Sequence, residues 1–447
     1  MQSEGAFTNR QLFALFVPLI LEQLLAITVG LVDSVMVASV GETAVSAVSL
    51  VDSVSNLIIN IFAALATGGA VVAGQYLGKG ERRKACRAGW NLLVLLTAVS
   101  LMLTVLIYGL KTLWIEILFS GITPEVKRDT DTYYSIVMAS VPFVAIYSGG
   151  AALFRTMQKS SVTMKISTAA NLFNVAGNGI LIYGFHMGVE GAAIPTLLSR
   201  ILSAAWILAL LMKPKQEISL RNRSDRNVSR KLTCDILAIG IPGGVENIMF
   251  HFGRLVLTSI VAGMGTASIV ANAVGNVVGG FHIFAAQSMG LGMVTVASKC
   301  IGAGSYEAAR FYTKKLMKAM IAVQIAVNAV LIAVTPFIIS AYQLVGEAAD
   351  LTVKVTVLHG LCSMVLYPLA FGFCNVFRAS GDAKFTMTVA STTMWTGRIL
   401  AGYLLGVVFN YGIMGVWFAQ VILDWGMRSV VFTARYIGKR WEKTPAA

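Results

Sequence analysis

Apolar positions in this chain come in long unbroken runs. They follow neither the alternation of a strand nor the one-sided stripe of a soluble helix. Twelve runs can be marked, at about 12–39, 48–74, 88–110, 132–154, 166–185, 191–212, 236–262, 268–298, 319–341, 355–377, 385–408 and 413–434. A bilayer core of about 30 Å needs roughly 20 apolar residues per helix, and each run approaches or exceeds that. The runs are too long for barrel strands and lack their alternation. Twelve transmembrane helices are predicted. The first run, at ~1.5 Å per residue, reaches about 42 Å, so it must tilt, bend or project beyond the bilayer.

Composition agrees. Of 447 residues, 56% are hydrophobic and 13% charged, with 42 glycines and only 9 prolines. A mean hydropathy of +0.75 leaves too little polar surface to cover a soluble globule of this size. Soluble enzymes, nucleic-acid-binding domains and disordered scaffolds are excluded, and an all-α polytopic membrane protein remains. The five cysteines (Cys86, Cys234, Cys300, Cys362, Cys374) show no CxxC or metal-ligand spacing, so free thiols are expected. The polar N-terminus runs into the first apolar run without a small-residue cleavage site, so no leader is expected to be removed.

A net charge of +14 would suggest nucleic acid in a soluble chain, but its placement says otherwise. With the N-terminus inside, 27 Lys and Arg fall in inner segments and four in outer ones (Lys111, Lys127, Arg128, Lys354). Another four, Arg200, Arg254, Arg398 and Arg428, lie within runs. This asymmetry predicts cytoplasmic termini and makes the charge a positive-inside bias. No nucleic-acid partner is expected.

The chain also repeats itself at an offset of 224 residues. Pro18 matches Pro242, Glu22 Glu246, Gly41 Gly265 and Gly68 Gly292. Leu77-Gly78-Lys79-Gly80 matches Ile301-Gly302-Ala303-Gly304, and Gly188-Val189-Glu190-Gly191 matches Gly412-Ile413-Met414-Gly415. Phe154-Arg155 matches Phe377-Arg378 at 223. Each half holds six runs, an even number, so both enter from the same side. Two six-helix lobes related by a pseudo-two-fold axis along the membrane normal are predicted. The N-lobe is 1–213, the basic segment 214–235 a cytoplasmic linker, and 236–447 the C-lobe with a basic tail.

Nothing in the chain reads as an enzyme: Walker A, HExxH, GxSxG and paired Cys/His clusters are missing. The four histidines (His186, His251, His282, His359) are scattered in sequence and are expected to be satisfied locally. Coupling chemistry must then come from ionisable groups inside the bilayer. Asp33 leads, because a carboxylate in a helix interior costs roughly 2.5–3.5 kcal/mol and needs a partner, a water-filled cavity or a proton. Its repeat mate is Leu257, so the lobes differ here. Asn174 and Asn178 share one face of the fifth run, and Thr196 lies early in the sixth. Carboxylate, amide and hydroxyl oxygens suit a hard cation such as Na⁺, or a carboxylate that cycles a proton; the same residues also serve as interhelical glue. Glu22 and Glu246 are repeat mates, each four residues after a proline, which favours bonding near a bent helix over a cavity or secondary coupling role. Arg254 lies two turns beyond Glu246, and Asp424/Arg428 form an i,i+4 pair that neutralises itself. Asn56/Asn60 and Asn272/Asn276 are similar pairs.

These residues resemble the multidrug and toxic compound extrusion (MATE) transporters over essentially the whole chain. The likeness rests on Pro18 to Gly41 with Val32-Asp33-Ser34-Val35-Met36-Val37 inside it, and on Gly74-Gln75-Tyr76-Leu77-Gly78-Lys79-Gly80. It also rests on Gly188–Thr196, Gly240-Ile241-Pro242 and Phe377-Arg378-Ala379-Ser380-Gly381-Asp382. Each motif is short; all of them in order are specific. The resemblance implies twelve helices in two lobes around a central cleft, exporting mostly cationic, amphipathic compounds against inward Na⁺ or H⁺. In members with an N-lobe cation site, Asp33 matches the helix 1 aspartate, Asn174 the helix 5 asparagine and Thr196 the helix 6 threonine. Asn178 stands where several members carry a second aspartate, which removes one negative charge. Other members use acids on helices 7 and 10; here Glu246 lies on the seventh run and the tenth contains none.

The expectation is a cation-coupled antiporter in a bacterial-type inner membrane, a monomer whose partners are the lipid bilayer and small organic substrates. It would need no cofactor beyond the coupling ion. Distant relatives flip lipid-linked saccharides, which is the alternative, although they display a strongly cationic cavity. A scaffold or passive channel has no need of a titrating group in one lobe only.

Overall fold

The computed structural model describes residues 7–111 and 123–443, all helix and connections. Residues 1–6, 112–122 and 444–447 lie outside the described residues, and so do parts of the N-terminal stretch and basic tail. The first half comprises α1 (Asn9–Ala38), α2 (Glu42–Gly78), α3 (Arg82–Gly109) and a bent α4 (Pro124–Met138 and Val141–Thr156). It continues with α5 (Ser160–Asn178, extended by a π-helical turn Gly179–Gly184) and α6 (Glu190–Leu211). The second half has α7 (Arg230–Ala262), α8 (Thr266–Gly302), α9 (Tyr306–Ala333 with a short following turn Thr335–Ala341) and α10 (Gly346–Ala379). It ends with α11, which begins as Ala383–Thr393 and runs on through Met394–Leu400, Ala401–Tyr403 and Leu404–Val408. The final span, α12, is Gly412–Phe418, Ala419–Asp424 and Trp425–Ile437.

Eight of these helices are long and apolar enough to cross a bilayer, nine when bent α4 counts as one span. The other three, α5, α11 and α12, fall on predicted runs but are interrupted by π-helical segments. Such segments insert a residue into the helical ladder and displace the side chains around them. One pair obeys the repeat: Gly179–Gly184 corresponds to Leu404–Val408. The other two, Met394–Leu400 and Ala419–Asp424, pack against each other.

Local chemistry sets the helix ends. Thr8 opens α1 with a reciprocal cap, its backbone N donating to Gln11 Oε1 (2.8 Å) and its hydroxyl accepting from Gln11 N (3.2 Å). The turns before α3 and α9 place Gly80 at φ 75° and its repeat mate Gly304 at φ 73°, a left-handed backbone that favours glycine. Proline lies inside α1 (Pro18), α6 (Pro195), α7 (Pro242) and α10 (Pro368). The freed carbonyl and local bend are tolerable where neighbouring helices cover them.

The chain divides into two compact units, one comprising Phe7–Gly244 and the other extending from Val245. In the first, α1 lies along α5, α2 packs on α3 and both segments of α4, and α6 packs on α4 and α5. In the second, α8 runs along α10 and α9, with α12 against α10. The division falls inside α7, and the segment read as a linker is docked on α3. Asn91 donates to Asn227 O (3.1 Å) and accepts from Ser229 N (2.8 Å), Arg82 donates to Glu217 O (2.8 Å), and Ile218 is fully buried. In the connection between α10 and α11, Arg435 Nε donates to Asp382 Oδ2 (2.6 Å). Burial outweighs that pairing and holds the Asp382 carboxyl above its ordinary value. All five cysteines are free. Large apolar side chains such as Val35, Val105, Leu172 and Val430 are exposed on the outer faces, an arrangement stable only where hydrocarbon replaces water.

Close backbone approach fixes the packing of α2 on the start of α7. A Cβ at Gly68 would lie 2.5 Å from Ile236 O and 3.0 Å from Gly240 N, whereas one at Gly244 would meet nothing within 4 Å. Gly68→Ala is therefore expected to destabilise the protein by about 1–3 kcal/mol, and Gly244→Ala to be neutral. Melting temperatures in detergent check both; equal shifts would refute the contact.

Candidate functional site

In the first unit, three helices bring Asp33, Asn174, Asn178 and Thr196 together. Asn178 Nδ2 donates to Asp33 Oδ1 at 3.0 Å. One end of the Asn174 amide faces Asp33, 3.0 Å from Oδ2 and 3.1 Å from Oδ1; the other faces Thr196, 3.0 Å from Oγ1 and 3.1 Å from the backbone N. A backbone N–H only donates and an ionised carboxylate only accepts, so the nitrogen points to Asp33 and the oxygen to Thr196. With the amide reversed, Asn174 still joins Thr196, donating to its hydroxyl at 3.0 Å, but then sets an oxygen against Asp33. It also sets the amide nitrogen against the Thr196 N–H, donor against donor, so the first orientation is the one the site holds. Asn174 and Asn178 are buried while Asp33 is half-exposed, and Asn178 Oδ1 has no partner. The π-helical turn of α5 starts immediately after Asn178.

Behind Asp33 stands a carboxylate that the hydropathy pattern concealed. Asp52 on α2 acts on Asp33 through space, bonds the Tyr133 hydroxyl, and has Arg200 as its charge partner. Arg200 also donates to Ser140 Oγ (2.7 Å) and Ser55 Oγ (3.4 Å). The signal was available as a single acid in a 27-residue run, an expensive placement by the argument that singled out Asp33.

Glu22 is held differently from its repeat mate. Thr163 Oγ1 donates to Glu22 Oε2 (2.9 Å), Tyr147 OH approaches Oε1 (3.4 Å), and Arg155 supplies charge through space. In the second unit, Glu246 Oε2 receives Arg378 Nη2 directly at 2.5 Å. Arg155 and Arg378, counted above with the basic connections, sit instead on α4 and α10 within these clusters. Arg254 is exposed and leaves Glu246 to Arg378.

The Asp424/Arg428 pair is bonded as expected (2.7 Å), and Arg398 joins it, with Nη2 2.7 Å from Asp424 Oδ2. Two guanidinium groups and one carboxylate are thus buried together, each arginine over an aromatic ring: Arg398 over Phe250 (5.0 Å) and Arg428 over Phe371 (5.2 Å). The expectation of scattered histidines is corrected. His282 and His359 meet with Nδ1 atoms 2.9 Å apart and stacked rings, enclosed by Gln324, Asn328, Trp417 and Trp425. Helix packing joins residues 77 apart, which no local spacing could show. Among the described residues, no group of three His, Cys, Asp or Glu stands ready to hold a metal ion.

Two six-span halves, a half-buried acid held by amides in one and ionic clusters in the other describe a polytopic transporter, and the chain belongs to the MatE family. The family model matches residues 18–180 and 242–423. The chain is similar to the uncharacterized transporter YisQ of Bacillus subtilis, 22% identical over 436 residues, 96% of this chain and 94% of that one. It is likewise 22% identical to the probable multidrug resistance protein NorM of Thermotoga maritima, over 97% of this chain and 93% of that one. A solved structure of MATE in the straight conformation matches with a TM-score of 0.89 at 19% identity, covering 97% of each chain. The fold is therefore that of MATE transporters, with twelve spans in two six-helix lobes.

The Arg398–Asp424–Arg428 cluster makes a firm stability claim. Removing the shared carboxylate leaves two buried cations facing each other, a loss of about 3–5 kcal/mol. Asp424→Asn should lower the detergent melting temperature sharply, and adding Arg398→Gln should recover part of the loss. A single variant as stable as the parent would show that the cluster carries no such charge balance.

Proposed function

We propose that this protein is a cation-coupled antiporter that exports amphipathic, mostly cationic organic compounds by alternating access, with Asp33, Asn174, Asn178 and Thr196 as the coupling site. One observation carries the reading: a carboxylate on α1 whose bonded partners are amide groups on α5 rather than a fixed cation. Such an acid is compensated well enough to exist ionised, yet its charge can be cancelled by Na⁺ or H⁺. When that happens the amide N–H groups of Asn174 and Asn178 lose the charge they donate to. The bonds tying α1 to α5 change with it, and occupancy biases the equilibrium between two helix arrangements. Substrate and ion acting on one equilibrium is what antiport requires. The Thermotoga relative, a probable multidrug resistance protein, supports the substrate class.

The setting follows the same reading: a bacterial-type inner membrane, cytoplasmic termini on the positive-inside bias, and a monomer. The flippase alternative gains no observation. Of the four arginines within the runs, three are engaged, Arg398 and Arg428 with Asp424 and Arg200 with serine hydroxyls, which leaves only exposed Arg254 for a lipid-linked pyrophosphate.

Two outcomes test this. In proteoliposomes, Asp33→Asn should abolish dye export driven by either a Na⁺ or a pH gradient while the melting temperature stays near that of the parent; retained uphill export would refute the coupling role. Asn178→Asp restores a second charge to the site and should tighten Na⁺ binding by about tenfold, equivalent to ~1.4 kcal/mol. Half-saturating Na⁺ in a binding titration measures it, and an unchanged value would mean that Asn178 does not face the ion.

A further inference from the structure

We propose that Glu22 is a second proton carrier, joined to Asp33 along the seam between α1 and α5, so that the ion that drives transport is H⁺. The inference rests on the reading of Asp33 as the coupling carboxylate and adds to it a route and an ion. Glu22 and Asp33 are eleven residues apart, three turns and about 16 Å along one face of α1. Both bond to α5, Glu22 near its start through Thr163 and Asp33 near its end through Asn178.

Between these contacts α5 presents Ser160, Thr163, Ser167, Asn171, Asn174 and Asn178, spaced three or four residues apart and so on one face. Tyr147, which approaches Glu22, also reaches Ser167. Two atoms of this polar face, Ser160 Oγ and Asn178 Oδ1, are buried without a partner, one at each end of the seam. Beside the line joining the two acids, α1 offers Ala26, Val29 and Gly30, none of which can hold a proton or pair with one. The seam therefore carries polar groups along its α5 wall from one acid to the other, the hydrogen-bond partners that a file of water molecules needs.

The titratable and charged groups that face the route among the described residues are few. Tyr147 and Arg155 on α4 face Glu22; Asp52 on α2 faces Asp33, with Tyr133 on α4 and Arg200 on α6 beyond it. Arg155 gives the Glu22 carboxylate a counter-charge without the direct ion pair that engages Glu246 through Arg378. In the second unit the same helix carries Leu257 where α1 has Asp33, so Glu246 has no acid to exchange with. Each transfer forms one O–H bond as it breaks another. A proton on Asp33 passes to a seam water, the adjacent water protonates Glu22, and Asp33 is left as carboxylate. Release from Glu22 to water at the N-terminal end of α1 resets the pair, and no other reagent is consumed.

The test uses the full chain in proteoliposomes with ethidium as the transported cation and a trapped pH dye, comparing parent, Glu22→Gln, Glu22→Asp and Asp33→Asn. Glu22→Gln should slow pH-gradient-driven ethidium transport and ethidium-driven proton movement by about a hundredfold, within the range for removing a proton-transfer group. Glu22→Asp should restore both with a displaced pH profile, a rescue that a merely structural role would not give. Should Glu22→Gln fail to fold, Glu22→Asp carries the test through its pH profile, and an unchanged profile overturns the proposal. Parent-like rate and profile in Glu22→Gln, or transport driven by Na⁺ with no pH gradient and no proton movement, also overturn it. If Asp33→Asn alone loses coupling, only the Glu22 route fails; if Asp33→Asn keeps it, the coupling reading itself fails.

Discussion

A charge held between apolar helices has to be compensated within reach of its own side chain, because neither lipid nor distant solvent will do it. That constraint organises the interior of this transporter, and the two halves satisfy it in two ways. In the second unit every deep acid is tied to arginine: Glu246 to Arg378, Asp424 to both Arg398 and Arg428. In the first, Asp52 has Arg200 as its charge partner, but Asp33 receives amide dipoles alone and Glu22 receives hydroxyls, with the guanidinium of Arg155 acting from a distance. Fixed cations make a charge permanent. Dipoles support it while leaving it open to titration or ion binding.

The π-helical segments serve the same constraint. A regular helix fixes the direction of each side chain by its position in the 3.6-residue period, and Arg398 and Asp424 would not be free to adjust towards each other. An extra residue in each ladder, over Met394–Leu400 and Ala419–Asp424, lies where the two side chains meet. On α5 the corresponding irregularity follows directly after Asn178, at the end of the contact with Asp33.

Much of this was legible in the chain itself. Long apolar runs and a fixed offset between repeat mates are properties of the sequence, and they carry over into helices and turns as specific as Gly80 and Gly304. Asp33, Asn174, Asn178 and Thr196 could be grouped because each was a polar group in an expensive place and three of them lay within 23 residues. What escaped were pairings set by packing. Arg155 and Arg378 lie near helix ends, where hydropathy alone assigns them to loops, yet both enter buried clusters. Asp52 was hidden by averaging over a long apolar run. His282 and His359 meet across 77 residues, and the π-helical segments leave no mark on hydropathy at all.

The repeat also turns asymmetry into an argument about mechanism. At the offset of 224, Asn174 corresponds to Arg398, Arg200 to Asp424 and Asp33 to Leu257. The amide position beside Asp33 in one half therefore holds, in the other, a guanidinium bound to an acid. Arginine does not deprotonate in proteins and cannot leave, so the second half carries its cation built in. In the first half the acid on α1 is bonded to α5 through amide groups, with no guanidinium at the matching position. A transporter assembled from two copies of one six-helix unit thus holds its interior acids in two electrostatic settings, one built on dipoles and one on fixed cations.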